Sequence, residues 1–360
     1  LPASASNGDQ IVFTDYARTW GTNAITIDSN GLNYQGDDDT FTVEYTTDGQ
    51  SVNIVYSGST NGWIPIEDDT VTDAPSKGNS EGIFGFGYDA TPSVVSMTNL
   101  VSNAGVVATD VTGVGTAREQ VAACEYGDDK GIFGFGRDAG GGVTGMTNLV
   151  SNAGVVATDV SAVGTARRYN AACGYGGDKG IFGFGDTGSY TAITSLVSNV
   201  GVVSADVTGV GTARTQLAAC EYGEDKGIFG FGYTGSATGV TNLVSSSGVV
   251  ATDVSAVGTA RYVLAACGYG YDKGIFGYGN GPVSMTNLVS NAGVVASDVT
   301  GVGTARHDLA ATQYGGDKGI FGFGVGPTAI TNLVSNAGVV ATDTAGVGTA
   351  RAGPAGCSFN

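Results

Sequence analysis

The sequence predicts an all-β chain in which six four-stranded sheets close into a β-propeller behind a small amino-terminal β domain. Three observations lead there. Six near-copies of one block open with Gly-Ile-Phe-Gly-(Phe/Tyr)-Gly at residues 82, 131, 180, 227, 274 and 319. Their spacings are 49, 49, 47, 47 and 45, and all the variation falls in one segment of 10, 10, 8, 8, 6 and 6 residues (88–97, 137–146, 186–193, 233–240, 280–285, 325–330), leaving a constant 39. The last residues, 355–359, supply the part of the block that the first copy lacks. A unit repeated at this period cannot bury its apolar face alone and stacks on its neighbours.

Residues 1–75 carry no copy of the block and are expected to form a separate β domain. Segments 10–16, 24–28, 41–45 and 51–56 read as strands between Asn-Gly, Asp-rich and Asp-Gly turns. Residues 66–81, rich in acid, Ser, Pro and Gly, read as a linker into the repeat domain, 76–360.

Within the block, richness in Gly, Val, Thr and Phe without a 3.6-residue stripe excludes helical repeats. In the third copy the strands are expected at 171–176, 180–185, 194–199 and 202–207, with Asn199-Val-Gly201 as a hairpin turn. Laid on 167–176, the C-terminal segment puts Cys357 on Cys173 and Phe359 on Tyr175. It is therefore expected to pair with residues 82–87 and close the ring, which removes the exposed sheet edges. Cys-Glu-Tyr alternates with Cys-Gly-Tyr, and the adjustable segments shorten in pairs. Duplication of a two-block unit explains both and gives the ring a pseudo-threefold character.

The repeated Arg (118, 167, 214, 261, 306, 351), the apolar strand, the Tyr-Gly-x-Asp-Lys turn and the Gly-ended strand follow one another as in the kelch motif, which the block resembles over residues 77–360. Gly-Phe-Gly stands where that family has a Gly-Gly doublet, and its blade Trp is absent. The amino-terminal stretch resembles a module of bacteriophage tail fibres and related appendages. The residues that carry this are Gly8-Asp9-Gln-Ile-Val, Asp15-Tyr16-Ala17, Thr22-Asn23-Ala-Ile-Thr-Ile, Asn30-Gly31, Ser51-Val-Asn-Ile-Val-Tyr56 and Gly62-Trp63-Ile64. This resemblance implies an attachment or oligomerisation module, other virion proteins as its partners, and a propeller displayed outward on a virus particle.

Composition narrows the function classes. The 360 residues are 41% hydrophobic and 13% charged, with a net charge of −18. Residues 1–80 hold 12 acids and 2 bases. Such a surface repels phosphate backbones, so nucleic-acid binding is not expected. No apolar run reaches the ~20 residues that span a bilayer. Leu1 in place of Met is what processing, or a chain known in part, predicts. Five Cys (124, 173, 220, 267, 357) occupy one repeat position, with Thr312 in the sixth copy. They are expected to be free, buried and too far apart to bridge, which fits assembly in a reducing compartment. No Asn-x-Ser/Thr sequon occurs.

Catalytic chemistry finds few groups. His307 is the sole histidine, so neither a Ser-His-Asp arrangement nor a histidine metal cluster is available. Gly134-Phe-Gly136-Arg-Asp-Ala139 has the glycine spacing of a dinucleotide loop but leads into no helix. Asp37–Asp39 and Glu67–Asp69 lack the alternate spacing of a calcium loop and read as solvated turns. The Asp-Lys turns read as solvated hairpins, and the repeated Arg as ties between neighbouring blades. No cofactor, metal site or catalytic residue is expected. A polysaccharide-degrading glycosidase acting through two carboxylates, with Asp138 or Asp186 as the acids to test and Asp89 and Asp308 as the other block-specific acids, is the enzymatic alternative.

Strand direction puts the adjustable segment and the residues after each Arg at one face of the ring, and the uniform turns at the other. The two segments that differ between blades thus share a face, as a recognition surface on a rigid scaffold would. Tyr88, Arg137, Arg168, Tyr169, Tyr190, Tyr233, Tyr262 and His307 fall there, and aromatic and Arg side chains suit sugar or protein contact. The sequence therefore predicts a non-enzymatic virion structural protein, homo-oligomeric and trimeric, that displays a propeller to a cell-surface glycan or receptor. A bacterial surface adhesin or lectin is the other binding-protein reading.

Overall fold

The structure is a computed structural model that describes residues 1–37, 43–70, 79–91, 93–161, 163–255 and 257–360. The chain divides into two compact units, Leu1–Pro75 and Ser76–Asn360. Among the described residues the regular structure is all β, in small antiparallel sheets, and no helix is long and apolar enough to cross a membrane.

In the first unit Gln50–Tyr56 lies between Gln10–Thr14 and Trp63–Thr70, and Ile25–Ile27 pairs with Val43–Tyr45. Gln50–Tyr56 alternates buried and half-buried positions, so Val52, Ile54 and Tyr56 face a core with Trp20, Ile27, Tyr34 and Trp63. The expected strand at 41–45 is observed from Val43, since residues 41–42 lie outside the described residues. The expected linker needs correction at both ends. Residues 66–70 belong to Trp63–Thr70, and Glu81 opens the next strand, while 71–78 lie outside the described residues. Composition misled here because an edge strand tolerates what a central one does not. Pro65 lacks an N–H, and the register shifts between Asn53 and Ile54 opposite it.

Among the described residues the second unit holds two two-stranded sheets and six three-stranded ones. Their first strands are Ala355–Phe359, Ala122–Tyr126, Ala171–Tyr175, Ala218–Tyr222, Ala265–Tyr269 and Ala310–Tyr314. The middle strands begin at the repeated Gly-Ile-Phe-Gly, from Glu81–Gly85 to Lys318–Gly322, and the last strands end at the repeated Leu-Val. The C-terminal strand pairs with the first copy from Ala355↔Gly85 to Phe359↔Glu81, as the sequence predicts.

The fourth strand is a correction. Val202–Val207 is not a continuous strand but two bridges, Val197↔Val203 and Thr194↔Val207, and the other copies repeat this. Three steps on one side face four on the other, so each edge carries an extra residue, a bulge. The bulge turns Asp206 inward, where the Ser195 hydroxyl reaches it at 3.0 Å.

The Gly-Ile-Phe-Gly motif explains how neighbouring sheets meet. A Cβ on Gly227 would stand 2.5 Å from Cys173 Sγ of the preceding sheet. A Cβ on Gly183 would stand 2.7 Å from the tip of Phe229 in the following one. Each glycine is therefore the socket for a neighbour's side chain. Phe229 in turn meets Phe184 edge-on at 5.1 Å, a favoured aromatic geometry. The same pair recurs at every junction, including Phe84–Phe323 at 5.3 Å between the first copy and the sixth.

The repeated Arg ties each junction, as expected. Arg214 is fully buried, lies over the Phe184 ring at 4.2 Å, donates from Nε to the Phe231 carbonyl at 2.8 Å, and sits 4.0 Å from Asp253. Burial brings its pKa down to about 10, so it stays charged at neutral pH. Asp253 also accepts from Thr212 N at 3.1 Å, Thr212 Oγ1 at 2.5 Å and Asn242 Nδ2 at 2.9 Å. Each Asp is thus held by the Thr-Ala-Arg of the preceding copy, and Asp110 of the first copy by Thr349 of the last.

Two series of backbone hydrogen bonds run head to tail through all six copies. In one, Tyr169 N donates to Gln120 O, Gln216 to Tyr169, Val263 to Gln216, Asp308 to Val263, Gly353 to Asp308 and Gln120 to Gly353, at 2.8–3.2 Å. The other runs through the Tyr-Gly-x-Asp-Lys turns, for example Gly176 N to Asp225 O at 2.7 Å, and ends with Gly315 N to Ser80 O and Asn360 N to Asp129 O. The five cysteines are free and buried, and first strands of neighbouring copies pack side by side, Ala355–Phe359 lying against both Ala122–Tyr126 and Ala310–Tyr314.

Candidate binding face

The residues after each Arg pair with the start of the adjustable segment. Glu119 faces Arg137, Arg168 faces Asp186, Thr215 faces Tyr233 and Ala352 faces Tyr88. Asn280 N donates to Tyr262 O at 2.9 Å and Val325 N to His307 O at 2.8 Å. All eight sequence-chosen residues thus lie on this one set of paired segments, in three groups.

Tyr88, Arg137 and Tyr169 line a cleft of about 600 Å³ with Glu119, Gln120 and Asp138. Arg137 is held by Glu119 through Nε at 2.9 Å and through Nη2. Burial pushes the Tyr169 hydroxyl up to about 12, helped by the charge of Asp308 and offset in part by a hydrogen bond with Gln216. The same burial, with Asp308 and Glu119, raises Tyr88. Both phenols are neutral donors across the physiological range.

Tyr190, Tyr233 and Tyr262 form a second group. Their rings follow one another at 6.1 and 5.0 Å, and Tyr190 is 40% exposed. Three rings in series, Tyr190 exposed and Tyr233 and Tyr262 half-buried, offer aromatic surface that can stack on planar or C–H-rich ligands. Arg168 lies 6.0 Å from the Tyr169 ring and binds Asp186 at 3.0 and 3.2 Å, while His307 Nδ1 lies 3.2 Å from Asp308.

The acids of the enzymatic alternative have local partners. Asp138 accepts from Gly142 N at 2.9 Å, Asp89 from Thr91 and Ser93, and Asp186 from Arg168 and Gly188 N. Hydrogen bonds from Thr91 and Ser93 hold Asp89 below the usual carboxylate range. These are turn-capping roles. Of the two acidic stretches, Asp38 and Asp39 lie outside the described residues. No group of three or more His, Cys, Asp or Glu that could hold a metal occurs among the described residues.

Sequence reasoning did not find a second feature, on the strands that pack side by side. Glu125 and Glu221 are hydrogen-bonded to each other, and Ser358 Oγ donates to Glu125. They alternate with Gly174, Gly268 and Ser358 at one repeat position, and Glu125, Gly174, Glu221, Gly268 and Gln313 line a cavity of about 40 Å³, with Gln313 as the third long side chain. A Cβ on Gly174 would fall 1.5 Å from Glu221 Oε1, and one on Gly268 2.2 Å from Gln313 Nε2. The Cys-Glu-Tyr and Cys-Gly-Tyr alternation was the signal, since each glycine vacates space for its neighbour's side chain. Burial, then the Glu125 charge, raises Glu221 well above the ordinary glutamate value.

No protein-family model matches the chain, and no curated protein matches it.

Proposed function

We propose that residues 76–360 form a closed six-bladed β-propeller with kelch-like blades, and that the chain is a non-enzymatic virion protein presenting this propeller to a cell-surface glycan or receptor. The ring reading is supported by the two head-to-tail hydrogen-bond series, by the C-terminal strand on Glu81–Gly85, and by the Thr349–Asp110 tie. The observation that carries recognition is the pairing of both variable segments at one end, where they assemble the Tyr190–Tyr233–Tyr262 series and the cleft of Tyr88, Arg137 and Tyr169. Everything uniform, the Arg, Asp and Gly sockets, is spent on holding the sheets together. The virion setting rests on the amino-terminal resemblance, with that unit attaching to other virion proteins in a trimer.

Two measurements test this. Labelled full-length chain is expected to bind cells of a panel of bacterial strains selectively, and the Tyr190→Ala/Tyr233→Ala/Tyr262→Ala variant to lose at least tenfold in affinity. Selective binding that survives in the triple variant removes these rings from the site, and no binding to any strain sinks the recognition role. Immunogold labelling of phage particles with an antibody to the chain decides its setting.

A further inference from the structure

At the alanine end of the strands that pack side by side, one copy breaks the pattern of the other five. The residue after the head-to-tail backbone series is Val121, Leu217, Leu264, Leu309 or Pro354 in five copies and Asn170 in the third. Asn170 is 95% buried on the exposure value of 5%, yet neither its Oδ1 nor its Nδ2 has a hydrogen-bond partner in the protein. Gln120 Oε1, in the layer above, is likewise buried and unpartnered. Both line a cavity of about 80 Å³ with Tyr169, Gln216 and Asp308. Leaving a buried amide unpaired is destabilising, whereas the leucine of the neighbouring copies carries no such penalty. Polar groups orphaned in a cavity are satisfied there by water or by a ligand that displaces it.

We propose that this cavity takes the hydroxyl edge of a neutral saccharide, with the Asn170 carboxamide as its central contact. The inference rests on the reading of this end as a recognition face. The chemistry of the lining selects the class. A carboxamide presents an acceptor and a donor side by side, and a pair of neighbouring hydroxyls satisfies both, while Gln120 Oε1 takes a further hydroxyl proton. An ammonium ion would satisfy the acceptors and leave Asn170 Nδ2 orphaned. An anionic sugar would face Asp308, with Glu119 nearby and already engaged by Arg137. The leucine, valine and proline walls suit the C–H faces of a ring. A volume of about 80 Å³ admits roughly five or more water-sized groups, enough for one edge of a hexose but not a chain of them.

The test uses the full chain, a panel of methyl hexosides (gluco, galacto, manno and N-acetylglucosaminyl) and two acidic sugars, read by saturation-transfer NMR and titration. At least one neutral hexoside is expected to bind, the acidic sugars are not, and Asn170→Leu is expected to weaken binding tenfold or more. Because Leu217, Leu264 and Leu309 fill the same place in other copies, Asn170→Leu should also unfold at a higher temperature than the wild type. Binding of no hexoside, binding unchanged in Asn170→Leu, preference for the acidic sugars, or a lower unfolding temperature in Asn170→Leu overturns the proposal. Selective cell binding that needs Tyr190, Tyr233 and Tyr262 but is intact in Asn170→Leu overturns this inference alone. Hexoside binding lost in Asn170→Leu, with no cell binding by the wild type, removes the cell-recognition role and leaves the cavity's ligand in place.

Discussion

Replacing Asp253 by Ala isolates the tie between neighbouring sheets. The carboxylate accepts three hydrogen bonds, from Thr212 N, Thr212 Oγ1 and Asn242 Nδ2, and stands 4.0 Å from the fully buried Arg214. Each such bond is worth about 1 kcal/mol net. The Asp253 side chain is 30% exposed, so water replaces part of what is lost and screens the Arg214 charge. Arg214 keeps its bonds to the Phe231 and Thr212 carbonyls. The expected loss is about 2–3 kcal/mol, which at roughly 2 °C per kcal/mol for a large domain lowers the unfolding midpoint by about 4–6 °C. In urea the midpoint should fall with an unchanged slope, since the surface exposed on unfolding is the same. Asp225→Ala is the internal control. That carboxylate contacts Lys226 at 2.5 Å, but both side chains are about 40% exposed, and such pairs contribute about 0–1 kcal/mol. The reasoning fails if Asp253→Ala costs no more than Asp225→Ala.

Two further outcomes are expected from the titrating groups. Glu221, raised by burial and by Glu125, stays protonated in the fold after the unfolded chain has ionised, so its contribution is intact below the ordinary value of 4.5 and declines as pH rises above it. Glu221→Gln should therefore match the wild type near pH 4 and melt higher than it at pH 8, and an advantage that does not grow with pH refutes this. The tie aspartates act in the opposite sense. Burial would raise Asp253, but hydrogen bonds from Thr212 and Asn242 and the Arg214 charge outweigh it and hold it below 3.8, so its contribution is present above that value and lost as pH falls below it. The thiols give the third test: burial pushes all five up, Cys267 to about 12, so thiol reagents should label none in the native chain at pH 8 and five after denaturation. Rapid labelling of any one in the folded protein contradicts its burial.

How much was legible follows from the range of each interaction. The first three strands of each repeat, the turn at Asn199-Val-Gly201 and the meeting of the two variable segments all follow from period-2 patterning and turn chemistry within a few residues. The pairing of Cys357 with Ile83 was also readable, because a repeat that lacks a strand at one end and has a spare strand at the other carries its own register. The eight chosen side chains were placed together at one end for the same reason, but their division into a cleft, a tyrosine series and two residues beside carboxylates was not. The edge bulge was missed because the partner of the Asp it turns inward, Thr165 for Asp206, lies outside the block that contains it.

By itself, then, the order of residues determined the unit: its period, its first three strands and the strand that completes the first copy. These are properties of near neighbours and of exact repetition. Only the tertiary structure decided what crosses between units. Thr116 reaches Asp159 over 43 residues, and Thr349 reaches Asp110 over 239. At such separations the partner is set by how whole sheets pack, and no local pattern specifies it. The same packing sets Glu221 in the space above Gly174, and buries the Asn170 amide where five other copies bury carbon.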